Sequence, residues 1–89
     1  MTRRRVKIKN RLGLHARAAA RFVHTASRFK ARVTVARNGK TMDGKSILGI
    51  LLLAASHGTD LDLTADGEDE APALEALARL LESGFGEDS

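Results

Sequence analysis

Asn38-Gly39-Lys40-Thr41-Met42-Asp43-Gly44-Lys45-Ser46 decides the fold, because it carries two incompatible readings. From Gly39 to Ser46 it satisfies G-x-x-x-x-G-K-[ST], the phosphate-cradling loop that joins a strand to a helix. Its first two residues, however, are Asn-Gly, the strongest short signal for a β-hairpin, because both tolerate positive φ. The preceding residues favour the hairpin. Ala31, Val33 and Val35 alternate with Arg32, Thr34 and Ala36, the period of a strand with one solvated face, whereas the strand that feeds a nucleotide loop is buried on both faces. A chain of 89 residues also leaves no room for the rest of a nucleotide-binding sheet. The stretch therefore predicts a return strand over about Lys40 to Met42, a turn at Asp43-Gly44, and a helix from Ile47 capped by Ser46. No nucleotide site is expected.

Upstream, Val6 and Ile8 alternate with Arg5, Lys7 and Lys9 as in a half-buried strand, with Arg3 to Arg5 as its solvated end, until Asn10 to Leu14 turn the chain. Ala19, Phe22, Val23, Ala26 and Phe29 then recur at helical spacing, which predicts a helix from Ala16 to about Phe29 with His15 at its N-cap. Downstream of the hairpin, a second helix from Ile47 to Ala55 ends near Ser56-His57-Gly58. Leu61, Leu63 and Ala65 mark a fourth strand closed by Asp66-Gly67. A last helix from about Glu70 to Ser83 tolerates Pro72 in its first turn, buries Leu74, Leu77, Ala78 and Leu81, and has Gly84 as its C-cap. The order βαββαβα predicts an α+β fold: one four-stranded antiparallel sheet, the hairpin at its centre, covered on one face by three helices. One domain spanning 1–89 is expected.

Composition narrows the function. The chain has no cysteine, which removes disulfides, thiolate catalysis and cysteine zinc sites and points to the cytoplasm. No stretch approaches the roughly 18 apolar residues of a membrane span, and the early alternation of Val6 to Lys9 is unlike a secretory signal. Arg and Lys concentrate before residue 46 and Asp and Glu after residue 59, within a net charge of +4. A basic half suits nucleic acid or an acidic protein surface. With three Phe and no Tyr or Trp there is little for bases to stack on, so no nucleic-acid partner is expected.

Three features carry chemistry. His15, within Gly13-Leu14-His15-Ala16-Arg17, stands where free backbone N–H groups and the positive end of the helix dipole suit a phosphoryl group. The dipole favours such an anion by about 0.3 to 1 kcal/mol and disfavours imidazolium, leaving a nucleophilic neutral ring; Arg17 adds a guanidinium for phosphate oxygens or a partner's carboxylate. Ser46 serves as a cap and, if phosphorylated, would place nearly two negative charges at an exposed helix start. Ile47, Leu48, Ile50, Leu51, Leu52 and Leu53 make the second helix too apolar for its length. Ile50, Leu53 and Ala54 are expected in the core and Ile47, Leu48 and Leu51 outside, as a patch for a partner. His24 and His57 have no ligand spacing and read as surface residues; neither metal nor cofactor is expected.

Together, Gly13-Leu14-His15-Ala16-Arg17, the alanine-rich helix after it, Gly44-Lys45-Ser46-Ile47-Leu48-Gly49-Ile50, and Ala65-Asp66-Gly67 with Glu68-Asp69-Glu70 resemble the HPr family, histidine phosphocarriers of the phosphoenolpyruvate-dependent sugar phosphotransferase system. The resemblance covers nearly the whole chain and implies an open-faced β-sandwich. It implies a monomeric carrier, without turnover of its own, in which His15 is phosphorylated on Nδ1 by Enzyme I and passes the group to an enzyme II A domain. Arg17 would assist transfer and docking. Ser46 would be the target of an ATP-dependent HPr kinase/phosphorylase in carbon catabolite regulation, and Ala20, Ile47, Leu48 and Leu51 would form the docking surface.

Ser83-Gly84-Phe85 is similar to the nitrogen-related branch of the system, which gives an alternative: the same carrier acting in signalling. One departure stands beside the histidine. The family usually has proline where this chain has Ala18, so the first helical turn is freer and gains one N–H donor.

Overall fold

Alternation along the strands places Val6, Val33, Val35, Leu61, Leu63 and Ala65 on one buried face of a four-stranded antiparallel sheet. A computed structural model describes residues 1–87. Its elements are β1 (Thr2–Lys7), α1 (Ala16–Ala26), β2 (Arg32–Arg37), β3 (Lys40–Asp43), α2 (Ile47–Leu52), β4 (Asp60–Asp66) and α3 (Glu70–Glu82), followed by a short 3-10 turn at Gly84–Gly86. The three helices pack over the apolar face. Phe22 of α1, Ile50 of α2 and Leu77 and Leu81 of α3 are fully buried there. Among the described residues, no helix is long and apolar enough to cross a membrane.

The hairpin forms as expected. Asn38 and Gly39 both have positive φ, 48° and 81°, and Arg37 pairs with Lys40 across the turn. The eight-residue nucleotide-loop pattern is thus a turn, an edge strand and a helix cap. Its position corrects the expectation of a central hairpin: the strand order is β1-β4-β2-β3, so β3 is an edge and β4 and β2 are central. Local sequence says that β2 and β3 pair, not which strand lies on the other side of β2. β3 has four residues of which only Met42 is half-buried, whereas β4 buries Leu61, Leu63 and Ala65, and the more apolar strand takes the interior.

Several ends also move. β1 begins at Thr2, so Arg3, Arg4 and Arg5 lie within the ladder opposite Thr64, Leu63 and Asp62. Beyond its end Ile8 stays fully buried and donates its N–H to the Thr59 carbonyl at 2.8 Å. α1 stops at Ala26, and Arg28 and Phe29 tighten into i→i−3 bonds. α2 has only six residues. It stops short of Ala55 because Ala54 turns into the left-handed region (φ 50°), which lets the Ala55 carbonyl accept from Leu14 N–H at 2.9 Å while Arg37 donates to the Leu53 carbonyl at 2.7 Å. Ala54 is accordingly exposed, contrary to its expected place in the core; Ile50 and Leu53 are buried as expected.

Along β1, part of the segregated charge is paired in three dimensions. Arg4 pairs with Glu75 and Glu82 of α3, Arg5 with Asp62 and Lys7 with Asp60 on the neighbouring strand, and the terminal amine with Asp66 and Glu70. Most of these groups are exposed, so the pairs contribute little to stability. They remove much of the basic surface that the sequence of β1 suggested.

Candidate functional site

The loop before α1 is fixed by backbone constraints. Gly13 adopts φ 67°, and a Cβ there would lie 2.5 Å from the Ala55 carbonyl oxygen. Leu14 is buried, and its N–H bond to Ala55 ties the loop to the end of α2. The next residue, His15, has extended dihedrals (φ −76°, ψ 175°), and its carbonyl accepts the first helical bond from Ala19 at 2.9 Å. It is therefore the N-cap, as its sequence position predicts. Its imidazole makes no cap bond to the helix, so the first-turn N–H groups of α1 are not consumed by it. Ala18, the third residue of α1, is fully buried.

The ring instead points to the C-terminal segment. Nε2 of His15 lies 2.5 Å from Oε2 of Glu87, 72 residues away in sequence. Asn10, itself buried, donates through Nδ2 to both the Gly13 carbonyl (2.8 Å) and Oε1 of Glu87 (3.0 Å). Arg21 donates to the Phe85 carbonyl at 2.6 Å, and Phe85 is buried with a left-handed backbone (φ 60°). Asn10 holds the Glu87 carboxyl below the ordinary carboxylate range; the hydrogen bond of His15 and the charge of Arg21 act in the same direction, and burial opposes them.

Around the ring, Arg11, Leu12, Arg17, Arg21, Gly86 and Glu87 line a cavity of about 620 Å³. Arg17 is exposed and its side chain makes no hydrogen bond among the described residues, so its guanidinium is available to an anion. The sequence reading missed Glu87 and Asn10. No local signal marks either: Glu87 lies in a short polar tail, and only chain closure brings it to the histidine.

Of the remaining expected residues, Ser46 is the N-cap of α2, its Oγ accepting from Gly49 N–H at 3.1 Å. Ile47 and Leu48 are exposed, at 45% and 67%. Leu51, expected outside, is half-buried and packs against the core, while Leu52, not singled out by the sequence reading, is 55% exposed. A six-residue helix offers its outer face to 47, 48 and 52 rather than 47, 48 and 51. Ala20 is exposed and lines a second, mainly apolar recess of about 410 Å³ with Arg17, His24 and Leu80. His24 and His57 are exposed, His24 at the rim of that recess.

The fold is thus a small antiparallel open-faced sandwich with a histidine at a helix start that has no side-chain cap bond, beside the arginine side chains of a shared cavity, and comparison with known proteins identifies the class. Residues 2–83 match the family model for the PTS HPr component phosphorylation site. The phosphocarrier protein HPr of Neisseria meningitidis serogroup A is 48% identical over 87 residues, covering 98% of each chain. Among solved structures, HPr-C-His from Thermoanaerobacter tengcongensis superimposes with a TM-score of 0.96 at 46% identity over all of both chains, and an HPr dimer from the same organism with 0.79 at 49% over 92% and 94%. The chain belongs to the HPr family, the phosphocarriers of the phosphotransferase system.

Proposed function

We propose that His15 is the residue that carries the phosphoryl group, on Nδ1, receiving it from Enzyme I and passing it to an enzyme II A domain, with the chain acting as a cytoplasmic monomer and as a substrate of those enzymes. The observation that supports this most is the unused helix start: His15 is the N-cap of α1, yet its ring makes no cap bond and stands in an arginine-lined cavity. Neutral imidazole attacks phosphorus through a ring nitrogen lone pair. The new group's oxygens then meet first-turn N–H donors of α1, where the dipole contributes about 0.3 to 1 kcal/mol, and Arg17 supplies a mobile countercharge. The step needs no nucleotide and no metal ligand from this chain. Ala20, Ile47, Leu48 and Leu51 are proposed for docking, with exposed Leu52 added to that face and half-buried Leu51 at its inner margin. Ser46 is proposed as a regulatory phosphorylation site, since its hydroxyl lies at the start of the same helix.

Incubation with phosphoenolpyruvate, Mg²⁺ and Enzyme I tests the central claim. A base-stable, acid-labile phosphate is expected on the wild type and none on His15→Ala. Label that persists without His15 would show that the site is elsewhere. HPr kinase with ATP tests the serine: an absence of phosphate on Ser46 removes the regulatory part and leaves the carrier role standing.

A further inference from the structure

We propose that Glu87 is a positioning residue for phosphoryl transfer: buttressed by Asn10, its carboxylate holds a proton on His15 Nε2, so that Nδ1 presents its lone pair to phosphorus. The inference rests on His15 being the phosphorylated residue. An ionised carboxylate accepts hydrogen bonds and cannot donate them. With Oε2 at 2.5 Å from Nε2, the neutral ring must therefore place its hydrogen on Nε2 and leave Nδ1 bare. Nothing else among the described residues competes for this role. The charged groups facing the ring across the cavity are Arg11 from the preceding loop, Arg17 and Arg21 from α1, and Glu87 from the tail; Glu87 is the one carboxylate.

The tail is built to hold that carboxylate in place. Phe85 is buried, its carbonyl accepts from Arg21, and Asn10 takes the second carboxylate oxygen while bracing Gly13, two residues before the histidine. One buried amide thus joins the loop that aims His15 to the group that fixes its tautomer.

The proton stays on Nε2 through the whole cycle. On uptake the Nδ1 lone pair forms the bond to phosphorus as the donor's bond to phosphorus breaks and its electron pair leaves with the donor. The ring, now carrying the phosphoryl group on Nδ1 and the proton on Nε2, is cationic, and the adjacent carboxylate stabilises that form. On delivery the acceptor's lone pair attacks phosphorus, the Nδ1–P bond breaks, and its electrons return to the ring, which is again neutral with Nε2 protonated. A ring protonated at Nε2 is the better leaving group, so Glu87 assists the outgoing step as well as the incoming one.

The test uses the full chain, phosphorylated by Enzyme I, with Glu87→Ala and Glu87→Gln. The readouts are the rate of uptake and the pH profile for spontaneous loss of phosphate from His15. Glu87→Ala should slow uptake about two- to fivefold, the size of a partly exposed charged pair, and should move the acid-dependent limb of the profile to lower pH. Glu87→Gln keeps an acceptor of the same shape without the charge; it should retain most of the uptake rate while its profile moves as in Glu87→Ala. Profiles that coincide with wild type in both variants overturn the proposal, as does a slower uptake with no displacement of the profile, which would mark a merely structural tail. Failure of the carrier assignment is separable: it appears as phosphate that survives His15→Ala, whatever Glu87 does.

Discussion

The helix that begins after His15 and the helix that begins after Ser46 meet the same problem, unpaired N–H groups in the first turn, and resolve it differently. At α2 the Ser46 hydroxyl accepts from Gly49 N–H, and the start is closed by its own residue. At α1 the cap side chain turns away to Glu87 and offers the helix nothing. The closed start stabilises the fold; the open one leaves donors for a ligand. Under the proposed function, phosphoryl binding uses the open start, while the extended cap residue of the other start closes its own helix.

Exchange of the two solutions separates them most sharply. His15→Ser should abolish phosphate uptake from phospho-Enzyme I altogether, while its new hydroxyl cap raises stability by about 0.5 to 1 kcal/mol in a urea titration. A variant that is both inactive and less stable would mean that the ring also supports the fold. Next in size is Gly13→Ala, which acts on the loop that joins the two regions. With φ at 67° and a Cβ 2.5 Å from the Ala55 oxygen, the substitution should lower the denaturation midpoint by the equivalent of about 2 kcal/mol or more. An unchanged midpoint would show that the loop yields freely.

At the closed start, Ser46→Ala should cost about 1 kcal/mol and Ser46→Asp much less, since a carboxylate also accepts from Gly49 N–H. Equal losses in the two variants would remove the cap from the account.

The smallest expected effect concerns the third helix start. Glu70 accepts from the Thr2 hydroxyl, from Gly67 N–H at 3.1 Å and from the terminal amine, which together hold its carboxyl at about 2, against an ordinary value of 4.5. A depressed folded value means that the unfolded chain binds its proton first. Glu70 therefore contributes its full stabilisation above pH 4.5 and loses it as pH falls toward about 2. Stability measured against pH should decline more shallowly across that window in Glu70→Gln; parallel curves would show that the contacts at Glu70 are not specific to folding.

Much of this was legible in the residues. The hairpin at Asn38-Gly39, the Ser46 cap and the His15 start each depend on conformational preferences confined to a few neighbours. So does the alternation that set the inner face of β2 and β4. Where the reading of α2 failed, the cause was distant: a run as apolar as Ile47 to Ala55 reads as continuous helix, and the left-handed turn at Ala54 arises because Leu14 and Arg37, from other parts of the chain, claim the carbonyls at its end. The same limit put Leu51 rather than Leu52 on the outer face.

By itself the sequence determined where elements begin, which faces are apolar, and that a histidine stands at a helix start, because these follow from spacing and local dihedral preference. Only the tertiary structure decided that β4 runs between β1 and β2, that the arginines of β1 are matched by carboxylates from β4 and α3, and that Glu87 meets His15 across 72 residues. Such contacts form once packing of the apolar faces has closed the chain, and no periodicity within either segment records which distant group will be brought against it.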